Sequence, residues 1–309
     1  MPKARSSEQH GEGRHGVVTY EGRPLPRPND EVVDQGLSFD ITTLLNRRQA
    51  LRAFGLGVAV AGLTACGSSA STTSERSSGT ASGSASTSPS AAAAAGEIPA
   101  ETVGPYPGDG SNGPDVLERS GVVRSDIRSS FGGPSSTADG MALDLELVVT
   151  DLANDGAAYA GAAVYVWHCD RQGRYSMYSD GITDQNYLRG VQIADAEGRV
   201  RFTSIFPGCY DGRWPHIHFQ VFPQQADITD ATHAVAISQI ALPKDACAAV
   251  YSSAGYEASR ESLARVSLDT DRVFRDDGGA LQLGTASGSI VSGYTVTLVV
   301  RVGTNSTPA

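Results

Sequence analysis

The stretch Leu143-Asp144-Leu145-Glu146-Leu147-Val148-Val149-Thr150 alternates apolar and polar side chains with a period of two. A pleated strand sends successive side chains to opposite faces, so such a run commits one face to a core. Ala163-Val164-Tyr165-Val166-Trp167-His168-Cys169 repeats the pattern less cleanly. Arg199–Ile205, His216–Phe222, Val235–Leu242 and Tyr294–Val300 are further β-rich runs, several of them bounded by Gly, Pro or Asp. Helical patterning is confined to Lys244–Ser253 and, more weakly, Glu257–Arg265. Many short strands with few helices predict an all-β fold, an antiparallel β-sandwich of two packed sheets with one or two short helices.

These runs place the folded domain at residues 97–303, with 304–309 as a tail. Across all 309 residues, 40% are hydrophobic and 19% charged, which excludes a wholly disordered chain. The 24 Lys+Arg against 34 Asp+Glu leave a net charge of −10, which speaks against a nucleic-acid partner. No series of long apolar runs points to a multi-span membrane protein. Residues 1–45 are polar and aperiodic. Asn46-Arg47-Arg48-Gln49 then precedes the apolar run Ala53–Ala65, which is too short to span a bilayer and suits a signal-peptide core. An Arg pair before such a core reads as a twin-arginine export signal. Leu63-Thr64-Ala65-Cys66 resembles a lipoprotein cleavage box, in which Cys66 becomes the lipid-bearing residue. Residues 1–65 are therefore expected to be an export signal with a polar extension. Residues 66–96, the lipidated Cys followed by a Ser/Ala/Thr/Gly-rich stretch, are expected to be a tether. The corresponding location is the outer face of the cell membrane, with membrane contact through the lipid alone.

The densest chemical signal is Phe206-Pro207-Gly208-Cys209-Tyr210-Asp211-Gly212-Arg213-Trp214-Pro215-His216-Ile217-His218. Two histidines at i and i+2 of a strand share a face and bring their rings close enough to hold one metal ion. A cupin-type carboxylate is missing after the pair, and paired cysteines for a structural zinc site are missing too. The nearby oxygen donors are Tyr210 and, in Trp167-His168-Cys169-Asp170-Arg171-Gln172-Gly173-Arg174-Tyr175, the phenol of Tyr175. A phenol ligates well only to a strongly Lewis-acidic ion that favours phenolate, and ferric iron meets that demand.

With these motifs in place, the chain resembles the intradiol ring-cleavage dioxygenases, which include catechol 1,2-dioxygenases and protocatechuate 3,4-dioxygenases. The resemblance covers about residues 98–242. It runs through Gly104-Pro105-Tyr106, Val166-Trp167-His168-Cys169-Asp170, Gly173-Arg174-Tyr175, Arg189-Gly190, Pro207-Gly208-Cys209-Tyr210, Arg213, His216-Ile217-His218 and Ser238-Gln239. It implies one non-haem Fe(III) per chain, with Tyr175 and Tyr210 as phenolate ligands and His216 and His218 as imidazole ligands. Tyr210 would leave the iron when the diol chelates and would serve as a base for a substrate proton. Arg213 would stabilise charge on the ring. Gln239 would lie beside the iron pocket, and Tyr106 would line its mouth. The implied partners are a small aromatic diol and dioxygen, and the implied product is a muconate-type diacid carrying both oxygen atoms.

Trp167 reads as core, His168 as lying outside the site, and His233 as an ordinary loop histidine. Cys169 and Cys209 are the expected disulfide pair, with Cys247 left over. Only five residues separate Tyr210 from His216, which points to a short rim loop and an open site. The chain lacks the helical N-terminal dimerisation region of catechol 1,2-dioxygenases, so their oligomeric state does not carry over. The rival reading from another class is a non-catalytic β-sandwich lipoprotein that binds aromatic or catecholate ligands.

Overall fold

A computed structural model describes residues 96–304 and two dipeptides near the N-terminus. Those dipeptides belong to a separate unit, Met1–Ser88, in which β1 (Thr19–Tyr20) pairs antiparallel with β2 (Arg23–Pro24). The export signal, the lipidation site Cys66 and nearly all of the tether lie outside the described residues.

The second unit is a sandwich. Its first sheet centres on β3 (Ala142–Asp151), the run with the cleanest alternation. Leu143, Leu145, Leu147 and Val149 are buried while Asp144 and Glu146 face outward. β3 is flanked on one side by β4 (Ala157–Ala158) and β7 (Arg199–Ile205), both antiparallel to it. On its other side lies β11 (Gly293–Val302), itself paired with β10 (Thr285–Ser289). β11 runs parallel to β3, the one departure from the antiparallel expectation among the described strands.

The second sheet has the order β6-β5-β8-β9, formed by Arg189–Ile193, Ala163–Trp167, His216–Phe222 and Ala236–Ala241, and all its pairings are antiparallel. Every residue of β5 and β8 is buried, so this sheet is covered on both faces. Val164, Val166, Ile217, Phe219, Val221 and Ile240 join the β3, β7 and β11 side chains in the core between the sheets. Ala163, Tyr165 and Trp167 point the other way and pack with Val116, Leu117 and Val122 from the irregular segment 98–131. The site is built on this second, outer face.

Two short helices, α1 (Lys244–Val250) and α2 (Glu257–Leu263), follow β9. Both end two or three residues before the expected limits. Ala246, Cys247 and Val250 of α1 are buried in the inter-sheet core. Among the described residues no helix is long and apolar enough to cross a membrane.

Candidate metal centre

Cross-strand register explains how the donors assemble. Arg189 of β6 lies opposite Trp167 of β5, Trp167 opposite His218 of β8, and His218 opposite Gln239 of β9. One row of four side chains therefore crosses all four strands on the outer face. His216, two residues before His218, projects from the same face. Trp167 is fully buried, as expected of a core residue, and its indole stacks on the His218 ring with centroids 4.9 Å apart at 9°. Gly104 crosses above that ring with φ of +79°, and a Cβ there would sit 3.1 Å from His218 Cε1. Glycine at this position satisfies both the left-handed backbone and the close approach.

The tyrosines come from loops that are tied together. Asp170 closes a turn by accepting the N–H groups of Gln172 and Arg174 at 2.8 and 3.0 Å, and it holds the Arg174 guanidinium at 2.7 Å. Gly208 N–H donates to the Asp170 carbonyl at 3.0 Å, which links the loop carrying Tyr210 to the loop carrying Tyr175. A Cβ on Gly208 would meet the Arg171 carbonyl oxygen at 2.7 Å, so the two backbones approach as closely as glycine allows.

As a result, four donor atoms converge. Tyr175 Oη lies 3.3 Å from Tyr210 Oη and 3.4 Å from His216 Nε2. Tyr210 Oη lies 3.2 Å from His216 Nε2, which is 3.1 Å from His218 Nε2. His216 Nδ1–H donates to the Trp214 carbonyl at 2.6 Å, which leaves its Nε2 as an unprotonated lone pair facing the other donors. Burial drives both imidazoles well below their ordinary pKa, with Arg213 adding to the effect, so both are neutral at pH 7. Burial raises Tyr175 well above 10, and it pushes Tyr210 up to about 12 against the pull of Arg213. Tyr175, His216 and His218 are at most 2% exposed, whereas Tyr210 is half-buried. The site is thus less open than the short rim loop led us to expect.

The donor set fits a hard trivalent cation. Among the described residues no group of three His, Cys, Asp or Glu side chains is able to hold a metal. Here half the donors are phenols, whose oxygens stay protonated unless a strong positive charge stabilises the phenolate.

Charged neighbours surround the cluster. Arg213 is 4% exposed, with Nε 2.9 Å from Asp271 Oδ2 and Nη2 2.5 Å from Gln239 Oε1. Burial disfavours the guanidinium charge, but Asp271, Tyr210 and Tyr175 together outweigh it and raise the pKa. Gln239 is fully buried and passes its amide N–H to the Thr102 carbonyl at 3.2 Å. Burial first, then Asp276, holds the Glu101 carboxyl up at about 8, so at pH 7 it is largely a neutral acid. The Tyr106 ring packs on that of Tyr175 at 4.8 Å.

Sequence reasoning undervalued two residues. Arg189, quoted only as part of a motif, is 1% exposed. Its guanidinium donates to Tyr106 O, Pro107 O, Ser176 O, Ser176 Oγ and Tyr165 Oη, at 2.7–3.2 Å. It thereby clamps the Tyr106 segment to the residue that follows Tyr175. Asp271 was missed altogether, since nothing in Ser267–Asp277 separates it from the other aspartates there.

The disulfide expectation needs correction. Cys169, Cys209 and Cys247 are all free and buried. The Cys169 thiol points to the Gly208 carbonyl at 3.5 Å and the Cys209 thiol to the Arg213 carbonyl at 3.4 Å, so the two sulfurs serve different backbone acceptors. His168 stays outside the donor cluster, between the Cys169 carbonyl and Ser204 Oγ. His233 ends an exposed turn beside Asp227 and Asp230.

Comparisons with known proteins agree with this architecture. A family model described as Dioxygenase matches residues 113–246. The protocatechuate 3,4-dioxygenase beta chain of Burkholderia cepacia is 30% identical over 190 residues, which cover 56% of this chain and 72% of that one. The chain belongs to the intradiol ring-cleavage dioxygenase family. A chlorocatechol 1,2-dioxygenase of Rhodococcus opacus is 38% identical over 56 residues, a segment spanning 18% of this dioxygenase-family chain but only 22% of the relative. Among solved structures, an intradiol ring-cleavage dioxygenase from Tetranychus urticae superposes with a TM-score of 0.55 at 23% identity. That match covers 68% of this chain and 96% of the other, and it shows the shared fold.

Proposed function

We propose that the chain is a ferric intradiol dioxygenase, which opens catechol-type diols between the two hydroxylated carbons. The observation that carries the reading is the convergence of two phenol oxygens and two imidazole Nε2 atoms at 3.1–3.4 Å spacings. Tyr175, Tyr210, His216 and His218 would hold the iron. When bound, ferric iron supplies the Lewis acidity that keeps the phenolates charged and draws electron density from a chelated diol.

The side chains divide the remaining work. Tyr210, the half-buried donor, takes a proton from a diol hydroxyl at its Oη as the substrate arrives. Arg213 sets a fixed positive charge against the electron-rich ring. Gln239 holds the guanidinium from one side. The Trp214 carbonyl keeps His216 turned with Nε2 inward. Tyr175 and His218, walled in by Tyr106 and Trp167, keep water from the far side of the site. Ring opening with both atoms of dioxygen yields a muconate-type diacid, so atoms balance with no added reductant.

Export belongs to the same proposal. Arg47-Arg48, the apolar run Ala53–Ala65 and Cys66 support twin-arginine export and a lipid anchor at the outer face of the membrane, with residues 67–96 as tether. Twin-arginine export carries folded proteins, which suits a metal loaded before export.

The deciding experiment is turnover of catechol under labelled dioxygen by the iron-loaded protein. The protein should be wine-red from tyrosinate-to-iron charge transfer, and the ring-opened acid should carry two labelled oxygens. A red protein that binds catechol without consuming dioxygen would replace this reading with the non-catalytic binder.

The protonation states predict a stoichiometry. At pH 7 both imidazoles are already neutral and both phenols are protonated, so iron uptake should release about two protons per ion. Affinity should therefore rise with pH through the neutral range. Transfer from a chelator of known proton stoichiometry, followed on a pH-stat, measures this, and release near zero would mean metal held without phenolate.

A further inference from the structure

We propose that Asp271 is the positioning residue for Arg213, and that it brings the C-terminal segment after α2 into the site. The proposal rests on the dioxygenase reading above. Asp271 lies beyond residue 246, where the family match ends, so the match itself assigns it nothing.

Asp271 is fully buried, and both carboxylate oxygens are doubly occupied. Oδ1 accepts the N–H groups of Val273 and Phe274 at 2.7 and 3.1 Å, which locks the carboxylate to its own turn. Oδ2 accepts Arg213 Nε at 2.9 Å and Trp214 N–H at 2.7 Å. A buried guanidinium without an anion is strongly disfavoured, and this carboxylate is the anion paired with Arg213. With Nε fixed on Asp271, Nη2 is delivered to Gln239 Oε1, and two acceptors along one edge of the guanidinium set its plane. A carboxylate that cannot turn therefore fixes the aim of the one charged group assigned to the substrate ring. Asp271 does this from behind, through Arg213.

Asp271→Asn keeps the shape and removes the charge. The probe is catechol, titrated without oxygen into iron-loaded protein and read from the visible absorption, with turnover measured separately per bound iron. We expect kcat/KM to fall roughly 100-fold or more, because an uncompensated buried charge reorients or recruits water. Catechol affinity should weaken about tenfold, the modest share expected of a charge that acts mainly beyond the ground state. In an Arg213→Met background, Asp271→Asn should add less than about a twofold change, since residues acting through one another are not additive. Equal losses in both backgrounds would reduce Asp271 to a structural staple and overturn the proposal, as would a folded Asp271→Asn that turns over like wild type. If Asp271→Asn fails to fold, the Arg213→Met/Asp271→Asn double variant decides. Recovery of the fold shows that the carboxylate exists to balance Arg213, and persistent unfolding overturns the proposal. Wild-type protein that consumes no dioxygen would remove the dioxygenase reading instead, while the coupling of the two residues in catechol binding could still be measured.

Discussion

His218→Ala yields a folded protein that retains almost no iron, no red colour and no turnover. The substitution removes a donor that lies 3.1 Å from its partner nitrogen and vacates the space between Trp167 and Gly104. Losing an outer-shell contact to a metal ligand typically costs roughly 10–100-fold in affinity, and losing the ligand itself should exceed that range. The indole of Trp167 also loses its stacking partner, so the metal-free variant should unfold about 2–3 kcal/mol more easily than the metal-free wild type, at the low end for a buried ring replaced by alanine. Iron per chain and a denaturant midpoint on both metal-free proteins separate these two effects. Retention of iron by a folded His218→Ala variant at the wild-type level would exclude this nitrogen from the metal site.

Tyr210→Phe keeps part of the iron and loses most of the chemistry. Tyr175, His216 and His218 still converge without it, but the hydroxyl that lies 3.3 Å from Tyr175 Oη and 3.2 Å from His216 Nε2 is gone. One substrate proton then has no positioned acceptor, and removing a general base typically costs about 10²–10⁴-fold in rate. The visible band should weaken, because one of two phenolates no longer contributes. The matched change Tyr175→Phe differs in kind. Tyr175 is 1% exposed, has the more strongly raised phenol and packs under Tyr106, so its loss should fall on iron retention before it falls on rate. Wild-type turnover by Tyr210→Phe, measured with an oxygen electrode, would assign the proton to another group.

The strands that alternate cleanly were legible because burial on one face imposes a period of two. β3 and β7 fall where the pattern puts them, whereas β8, buried on both faces, matches residue for residue because it is a short β-rich run closed by Pro223. β6 and β10 were not legible, for different reasons. β6 opens with Arg189 and Gly190, a pair that periodicity assigns to solvent, yet the guanidinium is buried because five acceptors surround it. β10 reads Thr-Ala-Ser-Gly-Ser and is mostly exposed, so its pairing with β11 leaves almost no apolar signature. The donor tyrosines and histidines were legible as chemistry, since few ions want two phenols and two imidazoles. Asp271 was not, because its importance comes from a contact 58 residues away in sequence with Arg213. The expected disulfide failed on direction: closeness in the chain to the same site did not aim the two sulfurs at each other.

The histidines and Gln239 hang from the side of the second sheet that faces away from the sandwich interior, under irregular chain from residues 98–131. Sheet and coil are therefore separable during divergence. Paired strands hold the two histidines in place, and coil that contributes little to the inter-sheet core can lengthen, shorten or change residues above them. On the dioxygenase reading proposed above, descendants of such a chain could exchange one aromatic diol for another by rewriting that coil while the strands stay as they are.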